Sequence, residues 1–230
     1  MAQNLAMAFA RPEWDISLYI NTDASSLIGS DTFENGEVKL RKGPILNCAI
    51  KGGFGVLDEI NMAKNESLAV LHAVLDFRRT IDLPGYDRIN LHEATRFIGT
   101  MNYGYAGTRE MNEALASRFM VLHMPVISAE NLQKLIKDKY PTLKPEYISQ
   151  FATLFDEIRK KCDGGEISTR SLDLRGLISC IGMMKKGLGV TKALEMGLIN
   201  KCFDEYERQL VLDIVSARLP ESLSGESIFS

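Results

Sequence analysis

An α/β half followed by an all-helical half is the architecture that this 230-residue sequence predicts. Three observations carry it. Short apolar runs bounded by turn residues alternate with helical stripes as far as residue 127. Two turn dipeptides, Asn35-Gly36 and Pro84-Gly85, sit between alternating runs and mark hairpins inside that half. From Ser128 onward the period turns helical and no strand pattern recurs.

Taken in order, MAQNLAMAFA favours a helix with no capping residue in front of it, ended by Arg11-Pro12. ISLYI, residues 16–20, reads as a strand before the turn residues Asn21, Thr22 and Asp23. Asn35-Gly36 lies within TFENGEVKLRKGPI, and a type I′ turn needs positive φ at both of its central residues. ILNCAIKGG then predicts a short helix ended by glycine, and FGVL a buried strand. Residues 65–78 place Leu68, Leu71, Val74 and Leu75 on one helical stripe. TIDLPGYDRINL carries the second hairpin, and RFIGTM, residues 96–101, is another apolar strand, ending at Asn102. The loop YGYAG leads into a helix, REMNEALASRF, and MVLHMP closes the half as a strand.

In the helical half, Ile148, Phe151, Phe155, Ile158 and Cys162 share one apolar face. Leu174, Leu177, Ile178 and Ile181 share a second, and Phe203, Tyr206, Leu210 and Ile214 a third. The ending PESLSGESIFS is expected to be loosely ordered. The predicted domains are therefore an α/β core over 1–127, a helical domain over 128–219 and a flexible tail over 220–230.

Bulk composition narrows the function. With 45% hydrophobic and 25% charged residues the chain is ordinary for a globular protein. A net charge of −3 gives no electrostatic reason to expect nucleic acid as a partner. A DNA-bound motor would rest only on Lys39, Arg41, Lys42 and Arg88 in the hairpins, which solvation explains equally well. Cys48, Cys162, Cys180 and Cys202 form no CxxC pair, and His72, His92 and His123 no HExxH, so a structural zinc site is not expected. The apolar N-terminus is too short to span a membrane and lacks a basic n-region, which makes the cytoplasm the default location.

Five side chains carry candidate chemistry. Asp58 ends an apolar strand, where an aspartate can hold Mg²⁺, and the adjacent Glu59 can orient or deprotonate a water. Asn102 ends a second strand and can donate to a phosphate oxygen or position that water, if the two strands are neighbours. Arg118 can reach a phosphate on a neighbouring subunit, with Arg109 as the other candidate for that finger. Arg170, just inside a helix capped by Ser168 or Thr169, can sense a terminal phosphate. Each has a plain alternative: strand-end acids meeting solvent, a turn asparagine, and two surface arginines.

Their order resembles the AAA+ ATPases. GGFGVLDEINMAKNESLAVLHAVLD looks like the Walker B segment of the MoxR-type, dynein-related branch, which includes the nitric-oxide-reductase and Rubisco activation ATPases. RFIGTMNYGYAGTREMNEALASRF is similar to that branch's sensor 1 through arginine finger. The hairpins over 32–41 and 80–91 match its helix-2 insert and pre-sensor-1 hairpin. The resemblance implies a P-loop NTPase-like three-layer α/β/α core followed by a helical lid. It implies ATP and Mg²⁺ as cofactors, with Mg²⁺ on Asp58. By the same resemblance Glu59 would activate water, Asn102 polarise it, Arg118 act in trans and Arg170 act in cis as sensor 2. The family usually forms hexameric rings and remodels or activates a client protein, often beside a von Willebrand A-domain partner.

One motif departs from the pattern. No G-x-x-G-x-G-K-[ST] phosphate loop occurs in these residues, and KGGFG cannot replace it because no Lys-Ser/Thr follows its glycines. The core is thus expected to be N-terminally incomplete, with Met1 an internal methionine of a longer chain and the sheet edges beside a missing central strand uncovered. The alternative is a non-catalytic ring subunit or adaptor that offers Arg118 to an active neighbour. In either case these 230 residues alone are expected to bind MgATP more weakly than micromolar and not to turn it over. Titration calorimetry checks this, and a micromolar dissociation constant would overturn it.

Overall fold

A computed structural model describes residues 2–102, 109–220 and 223–230, so the expected YGYAG loop lies outside the described residues. The chain divides into two compact units, Met1–Leu122 and His123–Ser230.

The first unit is built on a parallel sheet. Helix α1 (Ala2–Ala8) leads to strand β1 (Glu13–Ser17), then to α2 (Ala24–Ile28) and the β2 (Gly29–Glu34)–β3 (Glu37–Lys42) hairpin. Helix α3 (Pro44–Lys51) and strand β4 (Gly53–Asp58) follow. After β4 come α4 (Asn65–Leu68), α5 (Leu71–Leu75), a second hairpin of β5 (Thr80–Ile81) and β6 (Ile89–Asn90), strand β7 (Thr95–Gly99) and α6 (Glu113–Ala116). The sheet order is β1-β4-β7, every pair parallel, with Ser17 opposite Asp58 and Leu57 opposite Gly99.

β4 is therefore the middle strand, and its Val56 and Leu57 are buried. Phe54 meets Phe9, the residue after α1, ring centroids 6.0 Å apart, and α1 itself packs on β4, while the next residue, Gly55, lies against Cys48 of α3. Successive strand residues face opposite ways, so α1 and α3 cover opposite faces and give three layers. The core beneath gathers Leu18, Leu27, Ile45, Leu46, Leu57, Leu68 and Leu71.

Both turn dipeptides form hairpins. Asn35 and Gly36 take φ of 54° and 86°, the two positive values a type I′ turn demands, and Gly29–Glu34 pairs antiparallel with Glu37–Lys42. The predicted helix over 45–51 forms and ends at Gly52.

Four expectations in this unit need correction. The first strand runs over 13–17 instead of 16–20, because its ladder to β4 starts at the Pro12 carbonyl, which accepts from Phe54 N–H at 2.9 Å. Beyond Leu18 the chain turns, with Thr22 N–H donating to the Tyr19 carbonyl at 2.9 Å. The helix expected over 65–78 is two short pieces, separated at Ala69–Val70, where bonds shorten to i−3 spacing, although Leu68, Leu71 and Val74 stay buried. The helix expected over 109–119 is the single turn α6, whose N-cap Asn112 accepts from Ala114 N–H at 2.8 Å. MVLHMP is not a strand: it pairs with nothing among the described residues, and Met120, Leu122 and Met124 are exposed.

The second unit is helical. It comprises α7 (Ala129–Lys139), α8 (Pro145–Asp163), α9 (Leu174–Met184), α10 (Val190–Gly197) and α11 (Glu205–Arg218). The first two apolar faces are as expected, with Phe151, Ile158, Leu177 and Ile181 fully buried. The third is not. Phe203 and Tyr206 are exposed, and Val211 and Val215 fill the core instead, because the helix begins only after the Asp204 cap, which accepts from Glu207 N–H at 3.0 Å. The end of the chain is also tied down where a loose tail was expected. Ile228 is buried, its carbonyl accepts from Lys144 N–H at 3.0 Å, and Ser230 N–H donates to the Thr142 carbonyl at 2.8 Å. No helix among the described residues is long and apolar enough to cross a membrane.

The entry to β4 depends on Gly53, at φ 101°, where a Cβ would stand 2.2 Å from the Pro12 carbonyl oxygen. Gly53→Ala is expected to cost about 1–3 kcal/mol from backbone strain alone, seen as a lowered urea midpoint for the first unit.

Candidate functional site

The expected site residues of the first unit converge where β4 and β7 end. Asp58 is the last residue of β4, and the segment Thr100–Asn102 leaves its neighbour β7. Adjacent parallel strands thus deliver Asp58, Glu59 and Asn102 to one sheet end, the condition on which the role of Asn102 rests. In open α/β sheets the carboxyl ends of the strands are where ligands bind.

The turn out of β4 is unusual. Glu59 takes a left-handed backbone, φ 55° and ψ 46°, which is uncommon for a non-glycine residue and concentrates at functional sites. A single 3-10 turn, Ile60–Met62, follows. Two residues absent from the sequence expectations hold this turn. The Thr100 hydroxyl donates to Asp58 Oδ1 and accepts from Glu59 N–H at 3.2 Å. Asn61, 6% exposed, donates from Nδ2 to the Asn102 carbonyl at 2.8 Å, and its own carbonyl accepts from Arg109 N–H at 3.0 Å. Asn61 Oδ1 is buried and accepts no hydrogen bond among the described residues.

Arg118 sits in the same unit, held within its own chain. One guanidinium nitrogen donates to the Ala114 carbonyl, the preceding helical turn, and another lies 3.8 Å from Asp76 Oδ2. Asp76 is also gripped by Arg78 at 2.6 Å, and that hydrogen bond above all holds its carboxyl below the usual range. Arg109 is exposed.

Arg170 belongs to the helical unit, and its surroundings differ from expectation. It lies in a 3-10 turn, Thr169–Ser171, not inside a helix capped by Ser168 or Thr169. Glu207 captures the Ser168 hydroxyl at 2.8 Å and its amide at 2.9 Å, and Asp173 caps the following helix through Gly176 N–H at 2.9 Å. The exposed Arg170 guanidinium stacks 5.0 Å from the Phe203 ring centroid.

The profile of the family described as AAA domain (dynein-related subfamily) matches residues 1–119. This chain belongs to that family. YojN, an uncharacterised protein of Bacillus subtilis (strain 168), is 29% identical over 219 residues, which span 93% of this chain and 72% of YojN. An uncharacterised protein of Staphylococcus saprophyticus is 32% identical over 221 residues, spanning 94% of this chain and 84% of its own. A solved structure from Cytophaga hutchinsonii covers 90% of this chain and 77% of its own at 15% identity, with a TM-score of 0.46, a likeness too loose to add to the family match.

An AAA domain carries an ATPase-type function and, usually with Mg²⁺, depends on nucleotide; the family typically assembles into rings. The residues present suit that ion. Mg²⁺ prefers hard oxygen ligands and usually takes one or two carboxylates plus substrate phosphates. Asp58 is exposed and only its Oδ1 is engaged by Thr100. No group of three or more His, Cys, Asp or Glu side chains that could hold a metal occurs among the described residues.

Sequence reasoning missed Thr100 and Asn61 although both stand within the quoted motifs. A polar residue inside a strand exit is the available signal, but only the pairing of β4 with β7 shows what it touches. Asn61→Ala is expected to destabilise the first unit by about 1–3 kcal/mol. Asn61→Asp is expected to cost more, since it sets a buried carboxylate against the Asn102 carbonyl. Urea unfolding checks both.

Proposed function

We propose that this AAA domain is the ATP-binding and ATP-hydrolysing module of a ring, expected to be hexameric, that remodels or activates a client protein. The observation that supports it is the placement of Asp58 and Glu59 at the carboxyl end of the middle parallel strand, with Asn102 leaving the strand beside it. In this reading Asp58 holds Mg²⁺, which neutralises charge on the phosphates when bound. Glu59 takes the proton of the attacking water, a role that needs a carboxylate within hydrogen-bond reach. Asn102 orients that water.

Arg118 supplies positive charge to the nucleotide of the next protomer. To do so its guanidinium leaves Asp76 and the Ala114 carbonyl, contacts that are partly buried. Arg170 acts in cis once it leaves Phe203. The client and a von Willebrand A-domain partner are carried by the family resemblance alone.

The test uses a chain extended at its N-terminus by the strand and phosphate loop of a family member. That form is expected to hydrolyse ATP. Glu59→Gln should lower turnover about 100-fold or more while nucleotide stays bound, the usual weight of general-base catalysis. Failure of the extended chain to turn over ATP, or equal turnover by E59Q, would falsify the reading.

A further inference from the structure

The main-chain pairing at the end of β4 contains one residue too many. In a regular parallel ladder Thr100, opposite Asp58, would donate its N–H to the Leu57 carbonyl and accept at its own carbonyl from Glu59 N–H. The first bond is present at 2.9 Å. The second is not: the Thr100 carbonyl accepts from Ile60 N–H at 2.9 Å, one residue further on. Glu59 is thus the extra residue of a bulge, and its left-handed φ of 55° is how the chain accommodates it.

This bulge has two consequences. It breaks the alternation that would send Asp58 and Glu59 to opposite faces, and re-aiming a side chain beside a site is what bulges are used for. It also strips Glu59 N–H of its ladder partner. The Thr100 hydroxyl replaces that partner at 3.2 Å and in the same geometry donates to Asp58 Oδ1. One hydroxyl therefore connects both candidate carboxylate residues, through the side chain of the first and the main chain of the second. On the other side of β4, the Asp58 carbonyl is held by Leu18 N–H at 2.8 Å, so the Asp58 main chain is fixed independently. What Thr100 adds is the orientation of the Asp58 carboxylate and the closure of the bulge at Glu59.

We propose that Thr100 is a positioning residue: its hydroxyl locks the bulge that presents Asp58 and Glu59 together. The proposal rests on the reading of these two as the magnesium and water carboxylates. A threonine suits the place because its hydroxyl both donates and accepts, which the two neighbours require at once. Serine keeps both functions, whereas valine keeps only the shape.

Amide hydrogen exchange on the isotopically labelled 230-residue chain tests this without nucleotide. Thr100→Val and Thr100→Ala are expected to speed exchange at the Glu59 amide about tenfold, while Thr100→Ser stays within about twofold of the parent. The amides of residue 100 and Ile60, bonded through the main chain, should stay protected in all three variants. Unchanged Glu59 exchange in the Val and Ala variants, or a Ser variant as fast as Ala, overturns the lock. Thr100→Ser and Thr100→Ala differ by the hydroxyl alone, so the comparison stands even if valine perturbs folding.

In the loop-extended ATPase form, T100A is expected to lose about tenfold in kcat with KM within about twofold, and T100S to recover it. If that form hydrolyses ATP and Thr, Ser and Ala turn over alike, positioning falls and the ATPase reading stands. If exchange follows the expected pattern but the extended form never hydrolyses ATP, the ATPase reading falls and the lock remains as a structural device.

Discussion

β4 exchanges main-chain hydrogen bonds with a parallel neighbour on each side, β1 and β7, and the geometry of the first unit follows from that arrangement. Parallel pairing brings the carboxyl ends of all three strands to one side. It also obliges each connection to cross back over the sheet, which places α3 on one face and leaves the hairpins as excursions from the crossovers. In the register that sets Val56 opposite Asp15 on one side and Ile98 on the other, β4 lies between two covered faces, with Val56 and Leu57 buried. The position of Asp58 is a consequence of that register.

A regular strand would waste one of two adjacent acids, because neighbours point to opposite faces. The bulge at Glu59 departs from regularity where the site needs it. The strain of a left-handed glutamate, of order 1–3 kcal/mol, is held by bonds from Thr100 on the adjacent strand and by the 3-10 turn that follows. Asn61 extends the same tie two residues further, to the main chain of Asn102. The candidate site is thus two strand exits joined by side chains of modest size, on a rigid sheet.

Local chemistry made much of the fold legible. Asn35-Gly36 and Pro84-Gly85 announce hairpins because few other dipeptides accept those backbone angles. Gly52 announces a helix end for the same reason. The apolar runs of β4, which is buried, and β7, which is half-buried, could be recognised from composition. Where reading failed, distant partners decided. The first strand took its limits from β4 rather than from its own alternation. MVLHMP has strand composition, yet a strand requires a partner to satisfy its main chain, and none pairs with it among the described residues. The third helical face moved by one position because Asp204 set where the helix starts, leaving Phe203 before the helix and Tyr206 on its exposed side.

Asp58, Glu59 and Asn102 were visible as polar residues ending apolar runs, and their order along the chain was enough to suggest the family. That is information carried by residue identity and spacing, which a sequence holds in full. Thr100, Asn61 and Asp76 were invisible as site residues because their roles consist of contacts with other segments. Thr100 lies 42 residues beyond Asp58 and Asn61 lies 41 before Asn102. By itself the sequence determined most of the element types, the turns and the candidate acids, all set by local sterics and patterning. Only the tertiary structure decided which strand exits meet, that Glu59 bulges and that Thr100 holds it, since hydrogen bonds between distant segments exist only once the sheet has formed.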